Sequence, residues 1–69
     1  MNRGNLVYRC LRCEAEYARH DVPDLTVALA SLATIGRVPE MVGIGKLDIH
    51  ACGEGRSGVA YLIGGDASS

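Results

Sequence analysis

Four of the chain's five cysteines and histidines fall into two close pairs, Cys10-x-x-Cys13 and His50-x-Cys52, far apart in the sequence. A C-x-x-C turn sets two thiolates on one side of a tight loop, with backbone N–H groups able to donate to the sulfurs. That arrangement suits tetrahedral Zn²⁺. On an extended strand, residues i and i+2 share a face, so His50 and Cys52 present a second pair of ligands side by side. Cys10, Cys13, His50 and Cys52 are therefore the expected ligands of one structural Zn²⁺ per chain. Asp48 falls on the same strand face and is expected to accept the spare ring N–H of His50, fixing its tautomer. His20 is the rival fourth ligand, separated from Cys13 by six residues in C-x-x-C-x6-H spacing. Its position just ahead of a helix start fits a surface histidine better.

A staple of this kind answers a deficit in composition. The chain has 69 residues, no Phe, no Trp, three Tyr and nine Gly, so its core must come from Leu, Val, Ile and Ala. Chains below about 70 to 80 residues usually need a metal, disulfides or oligomerisation to reach useful stability. The length accommodates one domain, 1–69, while the hydrophobic fraction of 48% is too high for a disordered chain. Residues 1–5 and 66–69 carry no pattern and are expected to be loose.

Leu6, Val7 and Tyr8 predict a short strand running into the first cysteine pair. A helix follows, with Asp21 as its cap, Pro23 in its first turn, Asp24 adding negative charge there, Gly36 ending it and Pro39 close behind. Leu25, Leu29, Leu32 and Ile35 fall at spacings of four and three and form the expected core stripe. The opposite face, Val27, Ala30, Ser31 and Thr34, is small and nearly uncharged. Either the rest of the chain covers it, or it packs on a partner or on its own copy as a homodimer. Lys46 to Cys52 alternates as a half-buried strand should, and Gly53 to Gly58 turns into the β-favouring run Val59 to Ile63. The order strand, knuckle, helix, strand, turn, strand makes an α+β domain: a zinc-stabilised unit with a zinc knuckle, one central helix and a C-terminal β-hairpin.

The segment Tyr8-x-Cys10-x-x-Cys13-x-x-x-Tyr17 resembles the opening of a zinc finger or the first knuckle of a zinc ribbon, over ten residues. The resemblance implies a zinc-ribbon-like small protein. It stops there: the paired histidines of a two-Cys-two-His finger are absent, and His50-x-Cys52 replaces the second C-x-x-C of a ribbon. Two other motifs dissolve on inspection. Gly53-x-Gly55-x-x-Gly58 lacks the helix that a dinucleotide site needs, so it reads as a hairpin turn. Around Gly45-Lys46, Glu40 and Leu47 stand where a P-loop requires Gly and Ser or Thr.

A site of three cysteines and one histidine leaves no open coordination position, which points to a structural metal and away from an enzyme. The leading functional expectation is a protein-interaction module, an adaptor or inhibitor that uses Val27, Ala30, Ser31 and Thr34. Six Arg against one Lys, with eight Ala, suit a GC-rich bacterial or phage genome, so a phage protein directed at a host complex belongs to this reading. The alternative is a nucleic-acid-binding regulator using Arg9, Arg12 and Arg19, with Tyr8 or Tyr17 for stacking. The net charge of -1 argues against strongly basic recognition, yet residues 1–20 carry four Arg against two Glu. A C-x-x-C thiol oxidoreductase is the third reading, although the βαβ context is missing. Buried cysteines packing as small hydrophobes remain the bland one. With no signal-peptide pattern and no apolar stretch near the 17 residues that span a bilayer, a cytoplasmic location is expected.

Overall fold

The computed structural model describes residues 2–39 and 41–67. Strand β1 (Gly4–Cys10) alternates Leu6, Tyr8 and Cys10 inward with half-buried residues between them, the period of two that a one-faced strand requires. It is followed by β2 (Glu16–Val22), helix α1 (Leu25–Thr34), β3 (Leu47–Gly53) and β4 (Arg56–Ala67). The four strands form one antiparallel sheet in the order β2-β1-β4-β3. This is an α+β arrangement with one helix and a C-terminal hairpin, as expected.

Strand β2 is the element the sequence concealed. Its register against β1 slips between Asn5 and Leu6, so that Asn5 pairs with Asp21 and Leu6 with Arg19. His20 is the extra residue, with a φ of 68°. This bulge interrupts the alternation, placing Tyr17, His20 and Val22 inward at spacings of three and two. No uniform period survives to be read.

Because β2 continues to Val22, the helix starts later than expected. Asp21 belongs to the strand and pairs with Arg3, and Asp24 is the N-cap, its Oδ1 accepting the Val27 N–H at 3.3 Å. Pro23 precedes the cap. At the other end Ile35 is the C-cap and Gly36, with φ 75°, supplies the left-handed residue that stops the helix. The core stripe is accordingly Leu25, Ala28 and Leu32. Leu29 is half-buried, while Ile35 is 56% exposed because the cap lies past the last turn seated on the sheet.

The helix lies on the inner face of the sheet, where Leu6, Tyr8, Cys10, Val22 and Ala60 meet Leu25, Ala28, Leu32 and Ile44 in one buried cluster. Gly65 allows this docking, since a Cβ there would stand 2.5 Å from Leu25 Cδ1. The chain ends within the described residues are also paired, contrary to expectation. Gly4 and Asn5 pair with Ala67 and Asp66, and the Asn2 carbonyl accepts the Leu25 N–H at 2.6 Å. These backbone bonds offset the lack of side-chain pattern. Residues 1, 68 and 69 of the expected loose ends lie outside the described residues.

The β3–β4 hairpin turns at Glu54 and Gly55, both at positive φ (49° and 77°), with Gly53 paired to Arg56. Positive φ at both central residues is the two-residue type I′ requirement. Glu54 carries the steric cost of a left-handed side-chain residue. Glu54→Asn is expected to stabilise the fold by up to about 1 kcal/mol, whereas Gly65→Ala is expected to cost about 1–3 kcal/mol through overpacking against Leu25. Urea unfolding of the two variants checks both signs.

Candidate metal centre

The inner face of the sheet changes character along its length. The helix covers the end around Leu6 and Val22. Beyond Tyr8 the same face carries Cys10, and the turn from Cys10 to Ala15 then folds over it. That turn is closed by Glu14 N–H donating to Cys10 O and by Cys10 N–H donating to Ala15 O, both at 2.9 Å. Glu14 takes a φ of 64° to allow it. The backbone N–H of Arg12 points at Cys10 Sγ from 3.4 Å.

The second pair arrives from β3, where Asp48, His50 and Cys52 share the inward face and Leu47, Ile49 and Ala51 face out. Strand β4 lies between β1 and β3, so the two pairs meet above β4. Gly58 of β4 makes the room: a Cβ there would lie 2.8 Å from Cys10 Sγ and 2.7 Å from Arg12 Cβ. A glycine inside a strand signals such a close approach. Gly58 is part of the glycine motif at the hairpin, which is how the sequence conceals its role.

One ligand atom from each of Cys10, Cys13, His50 and Cys52 lies within 4.8 Å of the others. Cys10 Sγ and Cys52 Sγ are 3.6 Å apart, and His50 Nδ1 lies 3.3 Å from Cys13 Sγ and 3.6 Å from Cys52 Sγ. A tetrahedron with arms of about 2.3 Å has edges of about 3.8 Å, so these separations fit a four-coordinate metal. All three cysteines are free thiols; Cys10 is buried, Cys52 half-buried and Cys13 exposed. The residue set expected from the spacing thus converges. His20 lies apart, edge-on to the Tyr8 ring at 5.9 Å between centroids.

Crowding three sulfurs shapes their ionisation. Cys10 is lowered from 9.0 to about 6, chiefly by the Cys13 backbone N–H, against the opposing effect of burial and with help from the Arg12 N–H, His50 and Cys52. Cys52 moves the other way, to about 11, because burial and then the neighbouring Cys13 and Cys10 sulfurs oppose a further negative charge. Without a cation, the cluster cannot hold three thiolates at neutral pH.

Asp48 is not the partner of His50. Its carboxylate accepts the Tyr17 hydroxyl at 2.6 Å and lies 3.2 Å from an Arg19 guanidinium nitrogen. Burial raises the Asp48 pKa, but the Tyr17 and Ile49 hydrogen bonds and the Arg19 charge outweigh it and leave the group lowered. Tyr17, pushed up to about 12 by burial and by Asp48, stays a hydroxyl donor. Its ring is stacked on His50, centroids 4.9 Å apart and planes 21° apart. The sequence offered Tyr17 only as part of the zinc-knuckle resemblance and as a stacking residue.

The remaining candidates divide. Arg9 pairs with Glu14 at 3.3 Å and Glu16 at 4.0 Å, Arg12 donates to the Ser57 carbonyl at 3.2 Å, and Arg19 is held by Asp48. On the helix, Val27, Ala30 and Thr34 are exposed and Ser31 is half-buried. Val27 and Ser31 border a groove of about 400 Å³ whose walls include Val22, Val38, Pro39 and Met41. Among the described residues, no helix is long and apolar enough to cross a membrane. The chain matches no known family model, no curated protein and no solved structure.

The two shifted thiols make the metal-free protein's titration distinctive. Ionised Cys10 stabilises the fold fully above its ordinary value of 9.0, and that contribution is lost as pH falls through about 6. Neutral Cys52 stabilises it below 9.0, and that contribution is lost as pH rises through about 11. Thiolate absorbance of the reduced, metal-free protein is expected to show a first step near 6 that Cys10→Ala removes. A single transition of all three thiols near their ordinary value is the contrary result.

Proposed function

We propose that the chain is a small non-enzymatic protein whose fold is locked by one structural Zn²⁺ on Cys10, Cys13, His50 and Cys52, and which acts as a protein-interaction module. The convergence of three sulfurs and one imidazole nitrogen within 4.8 Å carries the metal half of this reading. Three soft thiolates with an imidazole favour zinc over hard, oxygen-seeking cations. Such a set fills the tetrahedron and leaves no position for substrate or water, which is the signature of a structural site. Metal binding of this type supplies on the order of 10 kcal/mol, ample for a core that has nine buried hydrophobic residues among the described residues and no Phe or Trp.

The interaction half is supported by the helix, where exposed Val27 and half-buried Ser31 line the apolar groove, Ala30 and Thr34 are exposed, and no charged residue lies between Asp24 and Arg37. Nucleic-acid binding draws no comparable support, because Arg9, Arg12 and Arg19 are each engaged within the chain. A thiol oxidoreductase is disfavoured as well: the thiol with the lowered pKa, Cys10, is fully buried, whereas an attacking thiolate needs access.

Far-UV circular dichroism with zinc assay tests the metal half. Protein purified without added chelator is expected to hold one Zn²⁺ and to melt at a markedly lower temperature when a chelator strips it, with recovery on adding zinc back. A metal-free chain that melts unchanged would contradict it. For the interaction half, paired charge substitutions Val27→Asp and Ala30→Glu are expected to keep zinc content while abolishing recovery of a cross-linked partner or self-association. Unchanged association in both assays would overturn that assignment.

A further inference from the structure

We propose that Tyr17 is the positioning residue of the metal centre: its ring, anchored through Asp48 and Arg19, holds His50 so that Nδ1 and not Nε2 is the ligating nitrogen. The inference rests on the metal reading above. An imidazole offers two nitrogens, and the one that binds is ordinarily selected by a carboxylate or carbonyl accepting the other N–H. Here the carboxylate best placed for that task, Asp48 two residues earlier on the same strand face, is occupied by the Tyr17 hydroxyl and Arg19. The His50 ring is held by its face instead, 4.9 Å from the Tyr17 ring and within 21° of parallel. In that orientation Nδ1 is the atom 3.3 Å from Cys13 Sγ and 3.6 Å from Cys52 Sγ.

Tyr17 can do this because it is itself fixed. Its ring is also stacked against Tyr8 at 6.0 Å and 22°, and Tyr8 is fully buried with its hydroxyl donating to the Gly45 carbonyl at 2.7 Å. The Tyr17 hydroxyl is tied to Asp48 on the same strand as His50, so the contact crosses from β2 to β3, the two outer strands of the sheet. The stack fixes the plane of the His50 ring, and in that plane the Cys13 and Cys52 sulfurs lie on the Nδ1 side. The sequence position of Tyr17, four residues after Cys13, thus serves the histidine of the second pair.

The test uses the full chain loaded with ¹¹³Cd²⁺ and labelled with ¹⁵N-histidine, so that metal–nitrogen coupling reports which ring nitrogen binds. The wild-type chain is expected to couple through His50 Nδ1. Tyr17→Leu removes the ring and is expected to weaken metal affinity about 10- to 100-fold and to lose or transfer the coupling to Nε2. Tyr17→Phe keeps the ring but drops the Asp48 bond, and is expected to retain the Nδ1 coupling with a smaller, severalfold loss of affinity. It also covers the case in which the Leu variant does not fold. Val22→Ala, a core truncation in the hydrophobic cluster, is expected to lower stability without changing the coupling. Coupling through Nε2 in the wild type overturns the proposal, as does a folded Tyr17→Leu with unchanged affinity and coupling, or a Tyr17→Phe with wild-type affinity. A wild-type chain that binds no cadmium or zinc at all is recognisable before any variant is made, and it overturns the metal reading itself.

Discussion

Three sulfurs and an imidazole brought together over Gly58 are the arrangement on which the rest of this small fold turns. Strand β3 is an outer strand, held by backbone bonds on one side only, and its inward residues reach across β4 to the turn that follows β1. Without a cation the meeting is electrostatically opposed: one thiol ionises readily, at about 6, and another is driven to about 11. A divalent metal reverses that opposition, since it requires the ligands deprotonated and neutralises the charge they bring.

Core and site are built on one surface. The inner face of the sheet carries Leu6 and Val22 beneath the helix, Tyr8 in the middle and Cys10 at the far end, so one alternating strand serves both. Aromatic rings bridge the two regions, running from Tyr8 to Tyr17 to His50. Two glycines cut into the facing strand set the fit, Gly65 beneath Leu25 and Gly58 beneath Cys10. Ion pairs add little by comparison, because Arg3–Asp21 and Arg9–Glu14 sit in solvent, where water and salt screen them.

How far the sequence could be read followed from how local each signal was. The four residues of the Cys/His cluster were legible because such chemistry needs pairs at short spacing, and the hairpin because Gly53-Glu54-Gly55 separates two apolar runs. Strand β2 was not, since the bulge at His20 destroys the period that identifies a strand. Its absence from the reading moved the helix cap from Asp24 to Asp21 and put Ile35 in the core. The partner of Asp48 was hidden for a different reason: Tyr17 and Asp48 are 31 residues apart, and only the curl of the sheet brings β2 over to β3. Gly58 was read as part of the turn, whereas it lies in β4 opposite His50, and its role under Cys10 depends on strand pairing that spacing does not encode.

X-ray absorption at the zinc edge of the protein as purified reads the ligand atoms themselves. One zinc per chain is expected, with three sulfurs at about 2.3 Å, one nitrogen at about 2.0–2.1 Å and no water oxygen. A sulfur count below three, an added oxygen ligand, or protein as stable without metal as with it would contradict it.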